Sequence, residues 1–291
     1  MTYNNIILVD SSYTSFYRFF ATKAWYGLAY KEEMKEIKEE GSDTYDWLSN
    51  EVFMEKYEKM YLESINKLVG KKVFNDSMII FARDPPQNTI WRNDDIDGYK
   101  QGRQDLTKTN NFKPIFKHTY ETLIPRWVKN NDHIHEIKQD KIEADDIIAI
   151  TTMFLKKKKH KFEKIIVVSG DEDFLQLGND NIYFAQYRKK KMFQLTEEEA
   201  QYKLHEKIVK GDSSDNIPSI FKNKRIPKVT KELFLNNKKE LLEYLESNKE
   251  IQEKYKRNEK IIDFNFIPKK YITKLEQKLK KILVREIILN I

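Results

Sequence analysis

Apolar residues in this chain gather in short continuous runs separated by longer stretches of helical period. The runs "NIILV" (Asn5 to Val9), "SMIIFA" (Ser77 to Ala82), a shorter one near His133 to Ile137, Lys164 to Ser169 and Asn181 to Ala185 have the length and β-branched content of buried strands. Between them the pattern predicts helices from about Ser12, over the charged stretch Tyr30 to Val69, around Pro114 to Val128, and from Ala144 to Lys156. Thr196 and Glu199 form a capping box that opens another helix. Strands that alternate with helices over the first two thirds predict an α/β fold, a mostly parallel central sheet flanked by helices and joined by right-handed crossovers. After about Thr196 the pattern is helical, broken by turns at Pro218, Pro227 and Pro268. Two regions are therefore expected: an α/β domain over 1–195 and a helical region over 196–291. The long segment Trp25 to Asn75 is read as packing helices.

Composition narrows the function classes. The 291 residues, 40% of them hydrophobic, suffice for a real core. No apolar run approaches the ~20 residues of a membrane span. The opening "MTYNNIILVDSSY" lacks a basic segment followed by a long apolar one. An intracellular protein, neither secreted nor in a membrane, is expected. Cysteine is absent, which excludes disulfides and thiolate ligands. The net charge of +7 is uneven: from Ile220 to Ile291 there are 19 Lys and Arg against 10 Asp and Glu, so the rest of the chain is close to neutral. A basic last part suits a polyanionic partner.

The chemistry lies in the acids. Asp10 closes the first run and Asp84 stands just past the second; "IEADD" supplies Glu143, Asp145 and Asp146, "SGDED" supplies Asp171 and Asp173, and "GDSSDN" supplies Asp212 and Asp215. One Asp after a strand is usually a helix cap. Nine acids at strand ends and helix starts exceed what capping requires. Two like charges at ~4 Å repel by about 4 kcal/mol at an effective dielectric near 20, so acids that converge need cations. Oxygen ligands without Cys or His select Mg²⁺ or Mn²⁺. Two such ions roughly 4 Å apart activate a water and stabilise a leaving oxygen, which points to phosphodiester hydrolysis. The five histidines, His118, His133, His135, His160 and His205, show no ligand spacing.

A second cluster, "WRNDDIDGYKQGRQ", holds Arg92, Tyr99, Lys100 and Arg103. In a helix, Lys100 and Arg103 share a face at i, i+3 and could hold a scissile phosphate above the acids. The bland reading is a solvated turn.

In order, Asp10, Asp84, "YKQGR", "IEADD", "SGDEDFLQL" and "IVKGDSSDNIPSI" resemble the flap endonuclease superfamily of structure-specific 5′ nucleases, with a PIN-like domain, and within it the T-even phage ribonuclease H type. The resemblance covers most of the chain. It implies two metal positions, one held by Asp10, Asp84, Glu143, Asp145 and Asp171, the other by Asp146, Asp173, Asp212 and Asp215. It implies that Lys100 and Arg103 contact the scissile phosphate at the base of a helical arch, about 97–132, with Arg92 and Tyr99 beside them. The family's helix-turn-helix grips duplex through a Gly-x-Gly turn; "SIFKNKRIPKVTKELFL" lacks it, and Lys222, Lys224, Arg225, Lys228 and Lys231 offer charge instead. Tyr13, Phe16 and Tyr17 fall where the family stacks a base, and Arg18 is a further phosphate candidate.

The resemblance implies a two-metal 5′→3′ exonuclease and flap endonuclease using Mg²⁺, with Mn²⁺ able to substitute. Its substrates would be DNA with a 5′ flap, nick or single-stranded 5′ end, or an RNA–DNA hybrid as in primer removal. A polymerase, clamp or single-strand-binding protein would be the candidate partners. Two alternatives stay open. A PIN-type ribonuclease shares the acidic sheet but usually lacks the helical last part. A non-catalytic branched-DNA-binding protein would have little reason to keep so many costly acids. A haloacid-dehalogenase-type phosphatase needs an Asp two residues after the first, where this chain has "VDSSY".

Overall fold

The computed structural model describes residues 3–41, 44–94, 99–100, 111–157, 162–222 and 224–288. Six strands, β1 (Asn5–Asp10), β2 (Ser77–Arg83), β3 (Ile134–Lys138), β4 (Lys164–Val168), β5 (Ile182–Gln186) and β6 (Lys191–Phe193), form one sheet in the order β3-β2-β1-β4-β5-β6. The first five are parallel and β6 is antiparallel to β5. Strand β6 was not expected: it starts on the last residue of the basic run Arg188 to Lys191, and three residues are too few to show a strand period.

Alternation along each strand splits the core between the two faces of the sheet. Ile6, Leu8, Met78, Ile80, Ile165 and Val167 point to one side, where α7 (Ala144–Lys157) covers them. Ile7, Val9, Ile79, Phe81, Ile166 and Val168 point to the other, under α1 (Ser11–Ala29), α3 (Glu51–Val69) and α5 (Lys113–His118). A strand buried on both faces has to be apolar throughout, which is why these runs were legible.

The charged helical stretch expected over Tyr30 to Val69 is helical but interrupted between Gly41 and Asn50. Helix α2 (Lys31–Glu40) stops at Gly41, where φ is 107°, and α3 starts from Asn50, whose side chain accepts the Phe53 amide. Tyr57 and Tyr61 of α3 are fully buried, so this segment packs. After the short α4 (Lys71–Asn75), the later leg runs from α5 through a π-helical turn at Thr119–Leu123 into α6 (Ile124–Asn130).

The expected capping box is present, with Thr196 opening α8 (Glu197–Lys210). Helices α9 (Lys228–Asn236), α10 (Lys238–Glu246) and α11 (Lys249–Ile262) close a separate cluster with α8 around Phe221, Phe234, Leu241 and Tyr255. Helix α12 (Lys269–Ile288) then returns to the sheet, where Leu275, Leu279 and Leu283 join the α7 side of the core. Among the described residues no helix is long and apolar enough to cross a membrane.

The strand order reverses between β1 and β4. In parallel sheets the crevice beyond the carboxyl ends at such a reversal is where ligands bind. Asp10 ends β1, Asp84 follows β2, and Asp171 follows β4.

Candidate active site

Each acid at this crevice is placed by a local structural need. Asp10 caps α1 by accepting the Tyr13 amide at 3.0 Å, and Ser169 donates its hydroxyl to the other oxygen at 2.9 Å. Asp84 accepts the Ser12 hydroxyl at 2.6 Å and the Ala144 amide at 2.7 Å, which ties β2 to the start of α7. Asp171 caps the 3₁₀ turn Glu172–Leu177 by accepting the Asp173 amide at 2.9 Å. Gly170 precedes it because a Cβ there would lie 2.5 Å from the ring of Tyr13.

Burial and mutual repulsion leave this group short of positive charge. Burial, then Asp84, pushes the Asp10 carboxyl up to about 7. Burial also raises Asp84, and raises Asp145 well above its ordinary value with Asp171 and Asp10 adding to the effect. Glu143 is the exception: burial acts upward, but Lys100 and Arg92 overcome it and hold the group low. The Lys100 Nζ lies 2.5 Å from Glu143, 3.7 Å from Asp215 and 3.9 Å from Asp145. Its backbone takes φ 56°, a strained conformation for lysine that the surrounding contacts maintain. Burial alone would discharge this ammonium; the carboxylates and Tyr99 raise its pKa well above the ordinary value instead.

Asp173, Asp212 and Asp215 form a second group, with one oxygen from each lying within 4.8 Å of the others. Asp212 sits in a loop turned by Gly211 at φ 73°, and pairs with Ile217 through backbone bonds of 2.8 and 2.7 Å. Lys207 of α8 is ion-paired with Asp173 and with Asp212, the latter at 2.7 Å. Against the upward pull of burial, Lys207 and Ser214 hold Asp212 down to about 2. The Tyr99 hydroxyl joins the two groups, 3.2 Å from Glu143 and 3.4 Å from Asp215.

Eight of the nine expected acids thus meet at one end of the sheet. Asp146 does not. Fully buried, it takes the Trp91 indole at 3.0 Å, the Glu143 amide at 3.2 Å and a two-pronged contact from Arg92 at 2.7 and 3.0 Å. With its oxygens so occupied it fixes the start of α7, which corrects its expected place beside the second ion. Arg92 is corrected for the same reason: only 3% exposed, it spends its donors on Asp146, Glu143 and the Ile261 carbonyl and presents none to a nucleic acid. Arg18 is likewise buried, with its Nε on Thr22 at 3.2 Å, and burial depresses its pKa. Tyr99 is buried among the acids. Arg103, with residues 97–98 and 101–110 of the expected arch, lies outside the described residues.

Tyr17 stacks on Tyr187 at 4.0 Å, whereas Phe16 stands 45% exposed. Lys222, Lys224, Arg225 and Lys228 are exposed and Lys231 is half-buried; Lys224 pairs with Glu250 at 2.7 Å. Sequence reasoning missed Ser12, Ser169, Trp91, Tyr120 and Lys207. Only Lys207 carried a local hint, lying one turn before the "GD" of the last acidic motif.

The description "5′-3′ exonuclease, N-terminal resolvase-like domain" belongs to a family model that matches residues 5–206. The chain belongs to the 5′-3′ exonuclease family. Ribonuclease H of Enterobacteria phage T4 is 27% identical over 225 residues, which span 72% of this chain and 72% of that protein. In three dimensions the chain is similar to the bacteriophage T5 D15 protein co-crystallised with metal ions, with a TM-score of 0.61 at 15% identity, over 96% of this chain and 99% of that one. It is also similar to the D15 flap endonuclease in a complex with DNA and metal ions, at TM-score 0.59 and 15% identity over 96% and 98% of the two chains. At that identity the likeness establishes the fold. As a member of the 5′-3′ exonuclease family, the chain is a 5′ nuclease, a hydrolase of phosphodiester bonds.

Proposed function

We propose that the chain removes the 5′ ends of branched or nicked duplexes, as DNA flaps or as RNA paired to DNA, with two divalent ions held by the two carboxylate groups. One observation carries this reading: the Lys100 ammonium lies between the groups, in contact with Glu143, Asp145 and Asp215. An all-oxygen donor set in which Asp10, Asp84 and Asp145 are pushed toward protonation fits hard cations, Mg²⁺ with Mn²⁺ as substitute. When bound, such ions supply an activated water and neutralise charge on the leaving oxygen.

The chain's own residues do the rest. Asp10, Asp84, Glu143, Asp145 and Asp171 make up the deeper position, and Asp173, Asp212 and Asp215 the shallower one. Lys100, freed from the carboxylates, would hold a non-bridging oxygen of the scissile phosphate, and Arg103 is assigned the same task. Phe16 is exposed near the start of α1 and could stack on a frayed base. Residues 196–291, with Lys222, Arg225, Lys228 and Lys231, would track the duplex backbone through charge. The flap endonuclease complex of phage T5 with DNA and metal ions supports this class of substrate.

The test is a 5′-labelled flapped duplex incubated with the full chain. Short labelled products are expected with Mg²⁺ and none with excess chelator. Intact substrate in Mg²⁺ and Mn²⁺ would overturn the reading, and cleavage of single-stranded RNA in preference to the flap would favour a PIN-type ribonuclease.

A further inference from the structure

Asp84 has more holding it than a helix cap needs. Its Oδ1 accepts the Ala144 amide, and its Oδ2 accepts the Ser12 hydroxyl at 2.6 Å. The Ser12 oxygen is also 2.8 Å from the hydroxyl of Tyr120, which lies in the π-helical turn between α5 and α6. The polarity of this chain is fixed by counting hydrogens. An ionised Asp84 can only accept, so Ser12 must spend its one proton on the carboxylate; Tyr120 must then donate to Ser12.

Tyr120 is itself clamped. The Arg83 guanidinium sits 4.5 Å over its ring and donates to its carbonyl at 3.3 Å. The neighbouring Thr119 is bonded to the Tyr57 hydroxyl at 2.8 Å and to the Ile115 carbonyl at 2.9 Å. A π turn widens the helix locally and commonly marks a functional position. Here it carries a phenol that reaches Asp84 through the Ser12 hydroxyl.

We propose that Tyr120 is a positioning residue for Asp84: through Ser12 it fixes the carboxylate rotamer, leaving each oxygen a free lone pair toward the cation position. The proposal rests on the reading that Asp84 is a metal ligand. Donors linked in series polarise one another, so loss of the outer hydroxyl weakens the inner bond as well. Groups that orient a ligand from behind typically change metal affinity or activity by 10- to 100-fold when they touch it directly. Tyr120 acts one bond further out, and the loss of one neutral hydrogen bond corresponds to a change of about 3- to 10-fold.

The experiment compares Tyr120→Phe, Ser12→Ala, the double variant and Asp84→Asn in the full chain by Mn²⁺ titration calorimetry, with steady-state cleavage of a 5′ flap alongside. Tyr120→Phe should weaken the tighter Mn²⁺ site about 3- to 10-fold and lower kcat comparably, with KM for the flap unchanged. The double variant should be no worse than Ser12→Ala alone, because both remove the same donor chain. Asp84→Asn separates the two possible failures. If Asp84→Asn loses the tight site while Tyr120→Phe binds Mn²⁺ as the unsubstituted chain does, the Tyr120 role is wrong and the metal site stands. If Asp84→Asn keeps full Mn²⁺ affinity, the site reading itself falls. Should Tyr120→Phe fail to fold, Ser12→Ala, with Tyr120 intact, must show the loss of Mn²⁺ affinity; normal affinity there overturns the proposal.

Discussion

The two carboxylate groups at the crevice solve the same electrostatic problem in opposite ways. In the deeper group, burial and like charge push Asp10 up to about 7, and they push Asp145 well above its ordinary value despite Lys100. In the shallower group, Asp212 is held down to about 2 because Lys207 supplies an ammonium from within the chain. Lys100 and Arg92 neutralise only Glu143's side of the first group, whereas Lys207 sits between two acids of the second. The deeper position should therefore bind a divalent ion strongly, since the ion relieves existing repulsion, while at the shallower one the ion must first displace Lys207.

The sharpest way to break this comparison is Asp171→Asn. If the deeper group holds the ion that activates water, this substitution should lower kcat on a 5′-flap substrate by more than ~10³-fold and leave duplex affinity within a few-fold. Cleavage at the unsubstituted rate would remove Asp171 from the site.

Next in size is the pH dependence of the metal-free chain. The folded pKa of Asp10 lies above its unfolded value of 3.8, so the native state binds more protons between pH ~4 and ~7. Stability should fall as pH rises through that window, by up to about 4 kcal/mol for a shift of this size. Thermal melts in chelator at pH 5 and pH 8 should show the fall, and added Mg²⁺ should remove most of it. A metal-free melting temperature that rises over the same range would reverse the assignment.

The smallest effect concerns Lys207. Lys207→Met removes the internal cation and should tighten the weaker Mn²⁺ site about 10-fold, the equivalent of one charged hydrogen bond, without changing the tighter one. Equal changes at both sites would mean that the two groups are not electrically distinct.

Much of this was legible in the sequence for a definite reason. Strands such as β1 and β4 are buried on both faces, so their apolar runs are continuous, and the acids that end them stand out. What the sequence could not display is pairing at a distance. Asp145 and Asp146 are neighbours of one chemical type, yet one faces the crevice and the other is claimed by Trp91 and Arg92, more than fifty positions earlier. Arg92 reads as a surface cation until that partner is known. The hydroxyls of Ser12 and Tyr120 acquire meaning only when 108 residues of chain bring them together. The bounds of α5 and α6 were read as one helix because a π turn keeps the helical period nearly intact.

Strand β1 precedes the other five strands in the chain and lies inside the sheet, between β2 and a strand that starts at Lys164. Asp10 therefore gains its neighbours Ser169 and Asp171 from more than 150 residues further along, and the Asp212 loop lies further still. The crevice is therefore a product of long-range folding: its acids come from segments as far apart as Asp10 and Asp215, and no short piece of the chain can assemble it.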